Sequence, residues 1–262
     1  MPISHASNQY LIPRGRVYFD PFDANEMPTG EIAIGNCPGV NIAVKSETKD
    51  HYSSETGLRQ KDGAWTLQVD RSGKLQCDNF SPSNVALWLT GTVERKTQSA
   101  TPVSGEERAV NPGRQYQLGA SASNPLGVRN VTAVSVKSKD GATVYVAGED
   151  YNVDTETGRI QIIAGGAIHA ATTVQFAYTP VASSFDSVRS GAKTELTGAL
   201  RIVSDNAAGG NRDWYLPKVT LSPDGDLALI AEKDDVVTLE FSMQVLKPAN
   251  AEAIYCDGRP VA

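Results

Sequence analysis

The sequence is short of the residues that usually carry chemistry. It holds three histidines, His5, His51 and His169, and none has a partner at metal-ligand spacing. Its three cysteines, Cys37, Cys77 and Cys256, are odd in number, far apart and without a C-x-x-C pair. A zinc site or a disulfide framework is therefore not expected, and free thiols in a reducing compartment are the default. Spacing alone leaves a Cys37–Cys77 pair open. There is no G-x-S-x-G and no H-E-x-x-H, and Arg189-Ser190-Gly191-Ala192-Lys193 lacks the glycine spacing of a phosphate loop. Asp154-Thr155-Glu156 and Asp224-Gly225-Asp226 do not match a calcium loop and read as turn acids. No catalytic residue, metal or cofactor is expected.

A basic excess is missing too. The net charge is −6, which argues against tight binding to a phosphate backbone but not against letting DNA slide past. No run approaches the ~20 apolar residues of a membrane helix. The first residues, MPISHASNQYLIPRGR, lack the basic-then-apolar order of a signal peptide. A chain made in the cytosol with no membrane partner is the expectation.

What the sequence does have is turns and alternation. Its 23 Gly and 14 Pro, with many Thr, Val and Ser, point to strands joined by turns, and so to a mainly β fold. The clearest stretch is Trp214 to Lys247, which reads as three consecutive antiparallel strands. Val219 and Leu221 alternate with polar residues. Ser222 to Asp226 supplies a turn. Leu227, Leu229 and Ala231 make a second strand. In the third, Val237, Leu239, Phe241, Met243 and Val245 share one face, and Thr238, Glu240, Ser242 and Gln244 the other. Such a polar face is ordinarily a solvated one; a sharper reading makes it the wall of a water-filled channel.

Upstream, residues 1–16 read as an extended arm, Arg16 to Asp20 as a strand, and Glu31 to Gly35 as the start of a hairpin turned by Asn36-Cys37-Pro38-Gly39. Ser46 to Asp62, containing Lys49, Asp50, His51, Tyr52, Ser53 and Ser54, has no apolar period and is expected to be a long loop. Trp65, Leu67 and Val69 then alternate with polar residues. Asn79 to Gly91 is the best helix: Ser81 is an N-cap, Pro82 stands at the first helical position, Phe80 and Val85 form a staple, and Gly91 ends it. Gly105 to Arg108 reads as a charged turn. Residues 124–182 read as a compact all-β unit, Ser183 to Lys193 as a helix or loop, Leu196 to Ile202 as a strand, and 248–262 as an irregular arm.

Several of these phrases resemble the major tail tube proteins of long-tailed, non-contractile bacteriophages. In the C-terminal half they are Asp205-Asn206, Gly209-Gly210-Asn211, Tyr215-Leu216-Pro217-Lys218-Val219 and Ser222 to Leu227. In the N-terminal half they are Gly30-Glu31-Ile32, Gly35 to Gly39, His51 to Ser54 and the Ser81–Gly91 helix. The likeness covers roughly 30–95 and 190–250. Gly148 to Ile162, GEDYNVDTETGRIQI, resembles a β-module recurrent in phage tail proteins, an insertion that the simplest tube proteins lack.

The resemblance implies a tail-tube-type antiparallel β-sandwich or half-barrel over 17–123 and 183–247, with one flanking helix. The 124–182 unit is then an insertion, and 1–16 and 248–262 are arms. It implies a structural virion protein whose six copies close a ring around one inner barrel, with Thr238, Glu240, Ser242 and Gln244 facing the lumen. Rings stack through Lys49 to Ser54 and the arms. The partners implied are further copies of the chain, a tape-measure protein and transiting DNA in the lumen, and tail terminator and tip proteins. The alternative is a carbohydrate-binding β-sandwich of a surface protein, with Trp65, Trp88, Trp214, Tyr18, Tyr52 and Tyr145 as stacking residues. An enzyme is the least favoured class.

Overall fold

Turn-forming residues cut the chain into sixteen strands and a single seven-residue helix in the computed structural model, which describes residues 9–191, 193, 195–232 and 234–257. The molecule is mainly β, with several antiparallel sheets. In order, the elements are β1 (Gly15–Pro21), β2 (Ile32–Gly35), β3 (Gly39–Ser53), β4 (Gln60–Cys77), α1 (Pro82–Trp88), β5 (Thr92–Gln98), β6 (Val103–Val110), β7 (Gln115–Gln117) and β8 (Val131–Ser138). There follow β9 (Tyr151–Asp154), β10 (Arg159–Ile162), β11 (Thr172–Pro180), β12 (Ser183–Arg189), β13 (Leu196–Ser204), β14 (Asp213–Asp224), β15 (Leu239–Val245) and β16 (Tyr255–Asp257). They fall into two units. One runs to Glu94 and resumes at Ser187; the other is Arg95–Asp186. The chain leaves the first and returns along β5 and β12, which pair with each other.

The first unit is one antiparallel sheet in the order β2-β1-β13-β14-β15-β4-β3, with β16 added to β14. Its core holds Phe19, Leu75, Leu200, Leu216, Leu221 and Phe241, all essentially inaccessible to solvent. Full burial of such a side chain is worth about 1.5–3 kcal/mol. The sheet is rolled, and its connectivity says why. β2 and β3 stand at opposite edges, yet only Asn36, Cys37 and Pro38 join them. In a flat seven-strand sheet the edges lie about 29 Å apart. Four chain steps reach no more than ~14 Å. The two edges therefore meet at a seam, where the Asp78 N–H donates to the Asn36 carbonyl (3.2 Å) and Asn36 Nδ2 to Asp78 Oδ2 (2.5 Å). The expected hairpin turned at Asn36 to Gly39 does not form: β2 pairs with β1, and β3 with β4.

Helix α1 begins as its sequence dictates. The Ser81 hydroxyl accepts the Asn84 N–H (3.2 Å), and Pro82 stands at the first turn, where no N–H is needed. The end differs. The chain turns at Thr90 (φ 48°) rather than at Gly91, and Phe80 is exposed rather than stapled. The helix buries Asn84 and Ala86 and lays Leu87 and Trp88 on the core.

Other expectations give way to tertiary pairing. Leu227 to Ala231 is not a strand: 225–238 is a connection, and Leu229 and Ile230 are among its most exposed residues. Ser183 to Arg189 is strand β12, because β5 offers an edge to pair with. The tail beyond Lys247 folds back, burying Ala253 and pairing β16 with β14 through Trp214↔Cys256. The first eight residues of the N-terminal arm and the last five of the C-terminal arm lie outside the described residues.

The second unit holds two three-stranded sheets, β6-β11-β8 and β7-β10-β9, around Val110, Leu118, Ile160, Ile162, Val174 and Phe176. It is wider than the 124–182 read from sequence, because β6 pairs with β11 and β7 with β10. Gly105 to Arg108 is no turn but lies inside β6. Gly105 (φ 83°) is the extra residue of a bulge, skipped between Glu106↔Phe176 and Ser104↔Ala177. Next to it Glu106 accepts from Arg108 (3.0 Å), the Gly119 N–H (2.9 Å) and the Tyr178 hydroxyl (2.7 Å). Burial, and then this carboxylate, push the Tyr178 hydroxyl well above its ordinary value. Asp154 turns β9 into β10, accepting from the Thr157 hydroxyl (2.5 Å) and the Glu156 N–H (3.1 Å); these bonds, Thr157 first, hold its carboxyl low.

Candidate assembly surfaces

The most exposed strands belong to one hairpin. β3 and β4 pair continuously from Gly39↔Gln76 out to Ser53↔Gln60. Near the root this ribbon is part of the sheet, because β15 pairs β4 from Cys77 back only to Ser72. Beyond Ser72 no strand among the described residues neighbours it, and it projects as an arm. From Ala43 to Ser53 it extends roughly 33 Å at ~3.3 Å per residue. Alternation carries the core-facing row of the root outwards. Val40 faces the fully buried Leu75, and two residues on come Ile42, then Val44. Val44 is 60% exposed and Val69 42%. Past the bulge at Glu47/Thr48, Leu67 is 69% and Trp65 56% exposed. A lone two-stranded ribbon is marginal in water, and a contiguous apolar row on one is the mark of an interaction surface.

The six residues expected in a long loop sit at the tip of this arm. Lys49 to Ser53 are the last residues of β3, and Ser54 opens the turn. The long-loop expectation is overturned: Ser46 to Ser53 carries no apolar period of its own, and β4 imposes the strand. Asp50 Oδ1 pairs with Lys61 Nζ (2.6 Å), a bond that raises the lysine's pKa. His51 Nδ1 lies 2.5 Å from Asp62 Oδ1, with its ring edge-on to Trp65 (5.9 Å between centroids). Arg59 covers Tyr52 at 5.7 Å. Polar cross-strand pairs thus fix the register of the tip.

The second surface is the polar face of β15. Leu239, Phe241, Met243 and Val245 are buried; Ser242 and Gln244 are exposed, and Glu240 is half-buried. Neighbouring strands extend the face: Thr220, Ser222 and Asp224 of β14 stand opposite Gln244, Ser242 and Glu240, and Ser72, Lys74 and Gln76 of β4 do so on the other side. Gln76 Nε2 donates to Glu240 Oε1 (3.0 Å), and the Trp88 indole to the Glu240 carbonyl (3.1 Å). Lys74 Nζ lies 2.8 Å from Asp224 Oδ2; this bond holds the carboxyl low and the ammonium high. Thr238 stands just outside β15, half-buried.

The structure thus brings Glu240, Ser242 and Gln244 onto one face with β4 and β14, and groups Lys49 to Ser54 at the arm tip. Sequence reasoning missed the apolar row of the arm. Its signal was present in Trp65, Leu67 and Val69, an alternation that reads as half-buried unless the missing cover is known. It also missed the buried Asn84. Of the aromatic residues considered for stacking, Trp88 lies against the core, whereas Trp214 lines a shallow recess of about 210 Å³ with Arg201, Asp213, Asp257 and two tyrosines not foreseen for stacking, Tyr215 and Tyr255.

A family profile described as "Protein of unknown function UCP028589" matches residues 10–253. No curated protein matches the chain.

Proposed function

We propose, for a chain that belongs to this family of unknown function, that it is a self-assembling structural subunit of a phage tail tube. The observation that carries this reading is the arm: a two-stranded ribbon with Val44, Trp65, Leu67 and Val69 in solvent has no cover among the described residues. A neighbouring copy in a ring, or in the next ring, supplies it. Away from the seam, the outer edge of β3 along the arm is open to pairing, and a strand of another copy laid there removes an exposed edge. The regular polar face of β15 with Glu240, Ser242 and Gln244 suits the wall of a hydrated channel, and at a net charge of −6 the chain holds DNA weakly. In this reading six copies close a ring, rings stack into a hollow tube, and the lumen takes a tape-measure protein and then DNA. Terminator and tip proteins close the ends in the virion.

Electron microscopy of the purified protein at high concentration, beside light scattering along a dilution series, tests the reading. Rings or tubes that Leu67→Glu abolishes are expected. A strict monomer at every concentration, with or without preformed tail tips as initiator, overturns it.

One observation favours a second reading, a carbohydrate-binding module. Trp214, Tyr215 and Tyr255 surround the recess beside Asp213, and Arg201 stacks on Tyr215 at 4.6 Å. Glycan-array binding lost in Trp214→Ala, from a protein that stays monomeric, would favour it.

A further inference from the structure

Cys37 and Cys77 are forty residues apart in sequence and side by side at the seam. Cys77 ends β4 and is fully buried; Cys37 lies in the three-residue link between the sheet's edges and is half-exposed. Both are free thiols. The pairing Gly39↔Gln76 sets their stretches alongside each other. The thiols are anchored on neighbouring carbonyls of one strand end, Cys37 on Gly35 (3.6 Å) and Cys77 on Ile34 (3.5 Å), close enough for each to shift the other's titration. A third group points to chemistry. Asn84, buried on α1, aims its amide Nδ2 at Cys77 Sγ (3.4 Å) while donating to the Ile34 (2.7 Å) and Asn79 (2.8 Å) carbonyls. Its Oδ1 is a buried side-chain oxygen with no hydrogen-bond partner among the described residues. An amide N–H on sulfur favours the thiolate.

We propose that Cys37 and Cys77 are a redox-active dithiol that a small-molecule disulfide converts into an intramolecular disulfide across the seam of the rolled sheet. The accessible sulfur is Cys37. Its thiolate attacks one sulfur of the external disulfide, forming a mixed disulfide and releasing one thiolate. The Cys77 thiolate, held by the Asn84 amide, then attacks Cys37 Sγ, forming the Cys37–Cys77 bond and releasing the second. Two cysteine thiols are oxidised, one external disulfide is reduced to two thiols, and the two protons end on the leaving thiolates. Exposure sets this order, because Cys77 is fully buried and Cys37 half-exposed. The electrostatics alone would ionise Cys77 first: the neighbouring Cys37 thiol, against the cost of burial, holds Cys77 down to about 7, whereas the Cys77 thiol, burial and the Asp78 carboxylate push Cys37 far up. The pair therefore loses one proton near neutrality and shares the other, so either sulfur can act as the nucleophile in its turn. Exchange speeds up as pH rises through 7.

The product closes a loop through the whole β3–β4 arm and fixes the seam, independently of whether the chain assembles. The test uses the full chain carrying Cys256→Ser, which removes the exposed thiol. Oxidised glutathione is added at pH 8, and intact mass and non-reduced peptide maps are read. The expected product has lost two hydrogens, carries no glutathione, links the Cys37 and Cys77 peptides, and melts about 5 °C or more above the reduced protein. In Cys77→Ser the reaction stops at glutathione on Cys37. Glutathione retained on Cys37 with Cys77 present, or both thiols unmodified under conditions that modify Cys256 in the unsubstituted chain, overturns the proposal. The parent mass and map decide it even if the Cys77 variant does not fold.

Discussion

The Arg95–Asp186 unit and the β3–β4 arm use the same material to opposite ends. Both are strands with period-two apolar residues. In the unit, Val174, Phe176 and Tyr178 of β11 alternate with polar neighbours and are nearly inaccessible, because a second sheet lies over them. In the arm, Trp65, Leu67 and Val69 alternate just as regularly and stand in solvent. Alternation says that one face is meant to be covered. It does not say by what. In the unit the cover lies in the same chain; for the arm no cover is found among the described residues.

That contrast can be broken at four places. Phe176→Ala opens a cavity in a covered face and should cost about 3–5 kcal/mol in urea denaturation; a loss below about 1 kcal/mol would mean the unit is not packed as described. At the root of the arm, a Cβ on Gly73 meets the Asn41 carbonyl oxygen at 2.2 Å and Met243 Cε at 2.6 Å. Gly73→Ala should therefore cost about 1–3 kcal/mol by the same measurement, and a neutral result would place the root outside the packed sheet. Ser81→Ala removes the cap of α1 and should lower stability by ~1 kcal/mol, seen as a small fall in melting temperature. The smallest effect on the monomer belongs to the arm. Leu67→Ser should change monomer stability by no more than about 0.5 kcal/mol yet abolish assembly in light scattering. A large destabilisation without change in assembly would show that Leu67 packs within its own chain.

Much of the candidate surface was legible residue by residue. The face of β15 follows from five apolar residues at every second position, and the cap of α1 from Ser81 and Pro82. The arm was half legible: β4 announces itself through Trp65, Leu67 and Val69, whereas Ser46 to Ser53 reads as loop, being polar on both faces. A ribbon that packs on nothing among the described residues leaves no apolar period in β3. Leu227, Leu229 and Ala231 show the reverse error. They alternate, but the sheet completes itself without them: β15 pairs directly with β14 after a long connection.

The sequence by itself determined the class of fold, the faces of its best strands and the start of its helix. Those depend on contacts between residues a few positions apart, through side-chain alternation, fixed proline φ and one hydroxyl on one amide. Only the tertiary structure decided that β2 pairs with β1 while β3 stands at the far edge, that the sheet rolls until the two meet, and that Cys37 and Cys77 share the seam. Those outcomes depend on which distant edges satisfy each other's backbone groups, a competition among all strands at once that no local pattern encodes.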